Sequence, residues 1–498
     1  MPPSSLRPLR HQDFDYWKAQ HLLQRAGFGG TPGQIHQLAR LGLAKAVDYI
    51  IDYEGIAYQP VDPADFDPDI WIPRPADERR SFQRARQTGD EVMLEKFRRD
   101  RQQRQRADRQ QISRLQRWWL KRMIETPRPL EEKMTLFWHG HFATGYRAIE
   151  NSYHMFQQNQ LFRSYAVGNF RMLTHAIIHD PAMLRYLNNN QNRRRSPNEN
   201  LARELMELFT LGEGNGYSES DIKEGARALT GYTFDDDRFV FNRQMHDSGP
   251  KHILGRTGDF DGNDFVELIF QQQYASEHIT LKLYRNFVND LPNGPDQSQQ
   301  EFILALARKF RSSDYDVKEM LRILFKSEHF YDSANVVARI KSPIQLIVQS
   351  IRSLQTPARS LNALLNASDL MGQNLFFPPS VKGWDGSRSW INTSTLFVRQ
   401  NLIIYLLTGR RPDSYAWQAD GSAYDAMHLV EDLDLDNDRV DPQTAATYLL
   451  RVTLGADPHP LRVETLVEFL RACGGRLDHN VLIGALSLIA AMPEYQLC

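Results

Sequence analysis

The sequence predicts an all-α fold with one small β-hairpin insertion. Hydrophobic residues recur at helical spacing along most of the 498 residues, whereas the alternation typical of strands is scarce. Proline and glycine clusters separate the helical stretches, as expected of loops between helices. The best strand candidate is 231–255, where aromatic residues flank a turn-like run of three aspartates.

The N-terminal part of the chain predicts two helices and a loop. Helices are expected at 14–27 and 34–53, because a Gly-Gly-Thr-Pro sequence with helix-start chemistry lies between them. Five prolines in 59–75 predict an extended loop, since each removes a main-chain donor. From 78 to 123 the chain is dense in arginine and glutamine, which predicts a long helix broken at Gly89.

The remaining elements follow the same periodicity. A block of helices is predicted within 129–190, and further helices are predicted to begin at 198, 218 and 343. Others are predicted at 264–290, 298–311, 316–327 and 360–372. The chain is then divided into four parts, namely 1–77 (N-terminal helices and Pro-rich loop), 78–123 (Arg/Gln-rich helical insert), 124–410 (helical core with the motifs) and 411–498 (C-terminal helical segment).

Composition excludes several classes of protein. Sixty Lys and Arg against 61 Asp and Glu argue against a surface built for nucleic acid. Only Cys473 and Cys498 are present, which excludes a disulfide framework and a cysteine-ligated zinc site. No apolar run reaches the roughly 18 residues of a bilayer span. The N-terminus lacks the apolar stretch of a signal peptide, which predicts a cytoplasmic protein, or a periplasmic or extracellular one if a signal was removed.

The stretch 198–209 carries the main candidate for catalysis. One face is apolar at about 100° per residue, formed by Leu201, Leu205, Leu208 and Phe209. Glu199, Arg203 and Glu207 lie on the opposite face at i, i+4 spacing, which fits either a salt-bridge ladder or a functional carboxylate cluster. Glu204 borders the apolar face, and partial burial there should raise the pKa of its carboxyl and suit it to proton donation.

We assign expected roles within this stretch and one other turn. Glu204, Glu207 and Glu199 are the expected catalytic carboxylates, and Arg203 and Asn200 are expected to bind substrate. A second acid/base candidate is a Gly-Pro turn that brings together a base, a carboxylate and an amine, with His246 and Asp247 expected to be catalytic and Lys251 expected to bind substrate. The alternative for this turn is structural, with Asp247 capping it and Lys251 exposed.

The sequence Phe-Trp-His-Gly-His-Phe contains a candidate metal site. His139 and His141 at i, i+2 point the same way only if the helix ends near Gly140. Two histidines are too few for zinc, which takes at least three protein ligands. We therefore predict no cofactor, with a divalent metal as the alternative. The eight arginines between Arg98 and Arg117 fit a solvated helix face, or a surface for phosphates or an acidic glycan.

These segments together resemble a bacterial family known only as domain of unknown function 1800. The resemblance is clearest in AQHLLQRAGFGGTP (19–32), PLEEKMTLFWHGHFAT (129–144), NENLARELMELFTLGEGNGYSESDIKEGARALTGYT (198–233), HDSGPKHILG (246–255) and GQNLFFPPSVKGWDGSRSWINTSTL (372–396). It extends over nearly the whole chain, so the four parts belong to one family unit, and the Arg-rich insert is its main departure.

The resemblance supports the choice of candidate site residues but does not imply an activity. The histidines, the 198–209 carboxylates, His246, Asp247, Lys251, Lys382 and Trp384 all fall inside its most distinctive blocks. Many members look exported and lie beside genes for proteins resembling the sulfatase and phosphatase superfamily. This implies such a partner, and work on an envelope or extracellular polymer.

Three classes of function remain open. The first is a cofactor-free Glu/His acid–base enzyme that hydrolyses a carbohydrate polymer, with Lys382, Trp384 and Trp390 binding the substrate. The second is a metal- or haem-dependent enzyme built on His139 and His141. The third is a non-catalytic helical scaffold that partners an envelope-processing enzyme. The acid–base hypothesis predicts that the carboxylates, one of these histidines and the 246–251 turn line one cavity.

Overall fold

The structure is a computed structural model that describes residues 6–59, 66–72, 75–433 and 440–498. Within these residues it contains 21 α-helices and two small antiparallel sheets, which confirms the all-α prediction. None of the helices among the described residues combines the length and hydropathy that a bilayer crossing requires. The predicted loop 59–75 lies partly outside the described residues, and its Pro68–Trp71 segment forms a 3₁₀ turn.

The first four helices confirm the expected order. They are α1 (Tyr16–Ala26), α2 (Pro32–Ile51), α3 (Ala76–Thr88) and α4 (Glu91–Glu125). Gly89 ends α3 in the left-handed conformation, at the predicted break. The chain reverses there, so that α3 packs along the start of α4, with the Phe82 and Phe97 rings 5.1 Å apart.

The second half of α4 corrects the description of 78–123 as an insert. From Asp108 onward one face of α4 is buried, including Ile112 and Leu115. The Asp108 carboxylate accepts hydrogen bonds from the Tyr146 hydroxyl (2.7 Å) and the Ser152 main-chain N–H (2.8 Å). The helical hairpin before Asp108 is largely exposed, so we expect only this part of 78–123 to be dispensable for the fold.

The helices that carry the motifs come next. They are α5 (Pro129–His141), α6 (Tyr146–Ile149), α7 (Ser152–Ser164), α8 (Phe170–Ile177), α9 (Pro181–Tyr186), α10 (Asn200–Glu204), α11 (Glu219–Ala228), α12 (Gly262–Phe270), α13 (Gln273–Phe287), α14 (Gln297–Ser312) and α15 (Val317–Lys326). Between α10 and α11 the chain continues as a π-helical segment, Leu205–Thr210. The remaining helices are α16 (Pro343–Leu354), α17 (Leu361–Leu370), α18 (Thr393–Thr408), α19 (Pro442–Leu454), α20 (Pro460–Ala472) and α21 (His479–Ala490).

Two β-hairpins replace the single one predicted. The first pairs β1 (Tyr232–Asp235) with β2 (Arg238–Phe241), as expected from the aromatic residues. The second pairs β3 (Lys251–Ile253) with β4 (Arg256–Gly258) through a turn at Leu254 and Gly255, which both have positive φ. Its strands have three residues each, too few to show an alternating pattern in the sequence.

The apolar core consists of two clusters that meet beside α5. The first includes apolar residues of α1, α2, α5 and α8 to α15. The second includes the buried half of α4 and apolar residues of α16 to α21. Because α5 and α13 belong to the first cluster and α16 to the second, the end of α5 lies at the junction of the two.

Candidate functional site

The C-terminal end of α5 holds the loop 376–390 in place. The main-chain N–H of Phe376 donates to His139 Nε2 at 3.1 Å. Burial lowers the pKa of His139 to about 3, so the ring is neutral and can accept this bond. Gly383, at φ 77°, lies so close that a Cβ there would be 2.1 Å from the Gly140 carbonyl oxygen. The loop, which carries Trp384, therefore docks directly on the end of α5.

The same end of α5 also contacts the π-helical segment. His141 Nε2 donates to the Phe209 carbonyl oxygen at 3.0 Å. The neighbouring Leu208 carbonyl oxygen accepts from Lys282 Nζ at 2.9 Å and from His278 Nε2 at 3.1 Å. Carbonyl groups at the end of a helix lack partners within it and carry partial negative charge, so basic side chains stabilise them.

These contacts do not fit the predicted metal site. His139 and His141 each use Nε2 for a bond to a main-chain group. Among the residues that the structure describes, no group of three or more His, Cys, Asp or Glu side chains could hold a metal ion. Both imidazoles instead position the segments that surround the end of α5.

Arg203 is the centre of an ion-pair cluster. Its guanidinium contacts Glu199 (3.1 Å), Glu207 (3.2 Å) and Glu219 (2.8 Å). The ladder predicted for 198–209 is therefore present. Hydrogen bonding to Glu219, together with that to the other two carboxylates, raises the pKa of Arg203 despite a smaller opposing effect of burial. Glu219 was missed because it lies on the next helix. Asn200 donates its main-chain N–H to Asn198 Oδ1 at the start of α10 (3.0 Å).

Glu204 has surroundings different from those of the other two carboxylates. It is half-buried at the end of α10, and Arg203 is engaged with three other carboxylates. Burial and, next, the Glu207 charge raise the pKa of Glu204, against smaller opposing effects of Arg203 and Lys382. This agrees with the direction expected from its border position. The charge of Glu204 also acts on the nearby Tyr186 hydroxyl.

The second acid/base candidate forms a cluster of its own. His246 Nδ1 donates to the Thr230 carbonyl oxygen at 2.8 Å. Asp247 accepts from Arg227 Nε at 2.8 Å, and this bond lowers the pKa of the Asp247 carboxyl. Lys251 Nζ, buried, donates to Gly249 O at 3.1 Å and lies 3.5 Å from an Asp259 carboxylate oxygen. These partners fix the turn that joins the two hairpins.

A cavity of about 400 Å³ opens beside the end of α5, and we call it the basic cavity. Six lysine and arginine side chains line it against two aspartates. From the predicted residues it brings together His141, Lys382, Trp384 and Trp390. Its lining among the described residues does not include Glu199, Asn200, Arg203, Glu204, Glu207, His246, Asp247 or Lys251.

The predicted convergence on one cavity is therefore seen only in part. Lys382, which lines the basic cavity, also acts electrostatically on Glu204, although Glu204 is not among the lining residues. Five basic lining residues were missed from the sequence, namely Lys133, Lys282, Arg285, Arg339 and Lys341. They come from α5, α13 and the segment before α16, and no local pattern connects them.

Comparison with known proteins identifies a family and no activity. A family model described as "Protein of unknown function (DUF1800)" matches residues 21–497. The matched range includes α5, the π-helical segment and the loop 376–390, which confirms the resemblance expected from these motifs. No curated protein and no solved structure matches the chain.

Proposed function

The chain belongs to the DUF1800 family, and we propose that it hydrolyses a carbohydrate polymer by acid–base catalysis. The observation that carries this proposal is the contrast between two neighbouring carboxylates. Burial favours the protonated form of Glu204, whereas Glu207 contacts Arg203 at 3.2 Å. A carboxyl group that keeps its proton beside one that ionises is the arrangement that glycoside hydrolysis requires.

Each carboxylate then has one role. Glu204 donates its proton to the glycosidic oxygen as the carbon–oxygen bond breaks. The Glu207 carboxylate takes the proton of the water whose oxygen bonds to that carbon, or stabilises the positive charge that develops on the sugar. Arg203 contacts Glu207 and is a positioning residue, as are Glu199 and Glu219 through their contacts with Arg203.

The sugar would bind across the rim of the basic cavity. Trp384 is half-buried against Gly140, with its indole 3.6 Å from where a Cβ of that residue would lie. An indole in this position offers an apolar face to a pyranose ring, and Trp390 lines the same cavity. Lys382 is exposed, lines the same cavity and acts electrostatically on Glu204, and its ammonium group can donate to a sugar hydroxyl. The reaction needs no cofactor.

The test is release of reducing ends from a panel of neutral and acidic polysaccharides. Glu204→Gln should lower kcat by about 10²–10⁴-fold, the usual contribution of a general acid. Glu207→Gln should also lower it, but by less if Glu207 acts on the water. Glu213→Gln is the matched control, because it removes an exposed carboxylate from the segment that follows the π-helical stretch and should leave kcat within about threefold. Full activity of Glu204→Gln would refute the proposal.

A scaffold is the second candidate, favoured by the ion pairs buried between helices. The Glu132 carboxylate is fully buried and accepts from Arg163 Nε at 2.8 Å and from Trp119 Nε1 at 2.9 Å. Such networks fix helix positions without taking part in chemistry. If no polysaccharide is cleaved and Glu204→Gln lowers stability, a scaffold for an envelope-processing partner, such as a sulfatase- or phosphatase-like enzyme, becomes the better proposal.

A further inference from the structure

Three lysine side chains of the basic cavity have no carboxylate partner. Lys133 and Lys341 are only 6% and 2% exposed. Their Nζ atoms donate to neutral oxygens, that of Lys133 to Gln345 Oε1 and that of Lys341 to the Tyr495 carbonyl at 2.7 Å. Lys282 likewise donates to the Leu208 carbonyl oxygen. Within the described part of the chain, no ion pair joins any of the three to an acidic group.

Buried ammonium groups without an anion are costly. Removing an ammonium group from water costs several kcal/mol, which a neutral acceptor repays only in part. Each Nζ has three N–H donors, and a carbonyl or amide oxygen engages one. The Lys282 Nζ also lies 3.4 Å from His141 Nδ1, which can accept a second N–H, so at least one donor of each lysine still lacks an acceptor among the described residues. Two aspartates also line the cavity, but Asp290 pairs with Arg339 at 3.2 Å and Asp385 is exposed. Cys498, which also lines the cavity, acts electrostatically to raise the pKa of Lys133 and of Lys341 and so opposes part of the effect of burial.

Burial lowers the pKa of all three lysines. It lowers the pKa of Lys133 to about 7, and the pKa of Lys282 and that of Lys341 to about 8. An anion placed among them would restore their ordinary protonation and supply the missing acceptor oxygens. Two further cations, Arg285 and Lys382, line the same cavity and would attract it.

We propose that the basic cavity is an anion-binding subsite in which Lys133, Lys282 and Lys341 hold a carboxylate, sulfate or phosphate group. Trp384 and Trp390 line the same cavity, so the ligand carries a ring next to its charge, and the substrate class is an acidic saccharide. The identification of this ligand as the substrate rests on the proposed hydrolase function. The binding of the anion does not.

The first experiment measures anion binding alone. Inorganic phosphate, sulfate and acetate are titrated into the full chain by calorimetry at constant ionic strength, with chloride as reference. Lys282→Met and Lys341→Met should each weaken the tightest anion by about tenfold, the effect of losing one charge-assisted hydrogen bond. The matched control is Lys121→Met, an exposed lysine on α4 that contacts Glu125 and should bind like wild type.

Folding of the variants is checked by their melting temperatures, with Lys133→Met as a third, independent variant. The anion should raise the melting temperature of wild type and of Lys121→Met more than that of the three cavity variants. Saturable binding of none of the three anions, or equal affinity in the cavity variants and the control, would overturn the subsite.

The second experiment separates this inference from the proposed function. Neutral, uronate-containing, sulfated and phosphorylated polysaccharides of similar length are compared as substrates. Lys282→Met should raise KM for the preferred acidic polymer at least about tenfold while changing KM for a neutral one little. Anion binding without cleavage of any polymer would refute the hydrolase and leave the subsite. Cleavage of neutral polymers without anion binding would refute the subsite and leave the hydrolase.

Discussion

The loop that carries Lys382 and Trp384 approaches α5 so closely that only glycine fits at 383. Its φ of 77° lies in the left-handed region, and a Cβ there would be 2.1 Å from the Gly140 carbonyl oxygen. That oxygen belongs to the main chain, which cannot move aside as a flexible side chain can. The cavity wall that this loop forms therefore requires glycine at 383, because even the methyl group of alanine would not fit.

Gly383→Ala should therefore destabilise the protein by about 2–4 kcal/mol, more than conformational strain alone. Gly214→Ala is the matched control, because Gly214 has the same φ of 77° but no atom within 4 Å of the point where a Cβ would lie. Gly214→Ala should cost only about 1 kcal/mol. Chemical denaturation of both variants measures the difference, and equal losses would mean that the close approach to α5 contributes nothing.

The helical hairpin of α3 and the first half of α4 is the most exposed element of the fold. Nearly all of its side chains are exposed or half-buried up to Ala107, and its arginines face solvent or nearby carboxylates. From Asp108 onward the same helix enters the second apolar cluster. One continuous helix thus joins an exposed projection to the core.

Deletion of residues 76–106 should leave a protein that melts cooperatively, within a few degrees of wild type, because few buried groups are removed. Leu115→Ala, in the buried half of α4, should instead cost about 2–5 kcal/mol by leaving a cavity. Thermal melts of the two proteins test this division. Loss of cooperative melting in the deletion would show that the hairpin supports the core.

Sequence periodicity predicts where helices and strands lie, but it predicts less well which groups surround their side chains. Most helices were predicted, as was the ion-pair ladder on Arg203, because both depend on spacing within a few residues. The buried face of α4 was missed because Ile112 and Leu115 are spaced among charged residues that suggest solvent. The lysines of the basic cavity could not be predicted, since only the tertiary fold brings α5 and α13 together.

At the scale of the whole molecule, Glu132 connects three helices. Its carboxylate, on α5, accepts from Arg122 on α4 and from Arg163 on α7. Burial alone would raise the pKa of Glu132, but the charges and hydrogen bonds of Arg163 and Arg122 hold it below its ordinary value. The group therefore stabilises the fold as an anion.

Glu132→Gln should destabilise the protein by about 3–5 kcal/mol at pH 7, because it leaves the buried Arg163 without a counter-charge and Arg122 with Glu131 alone. A depressed pKa contributes stability that is present above the ordinary value of about 4.3 and is lost as the pH falls through the folded-state value. The gap between wild type and variant should thus narrow below about pH 4. Denaturation at several pH values measures it, and a gap that does not depend on pH would contradict this account.

The π-helical segment Leu205–Thr210 sets the angle about the helix axis between the Glu204 side chain and the carbonyl groups of Leu208 and Phe209. Its N–H groups bond five residues back instead of four, so it accommodates one residue that a continuous α-helix would not need. That residue lets Glu204 face the polar border while the Leu208 and Phe209 carbonyls reach Lys282 and His141. A deletion of one residue here would hardly change the composition of the motif. It would nevertheless rotate the Glu204 side chain by about 100° about the helix axis relative to the Leu208 and Phe209 carbonyls. The carboxylate and the carbonyls could then no longer both keep their partners.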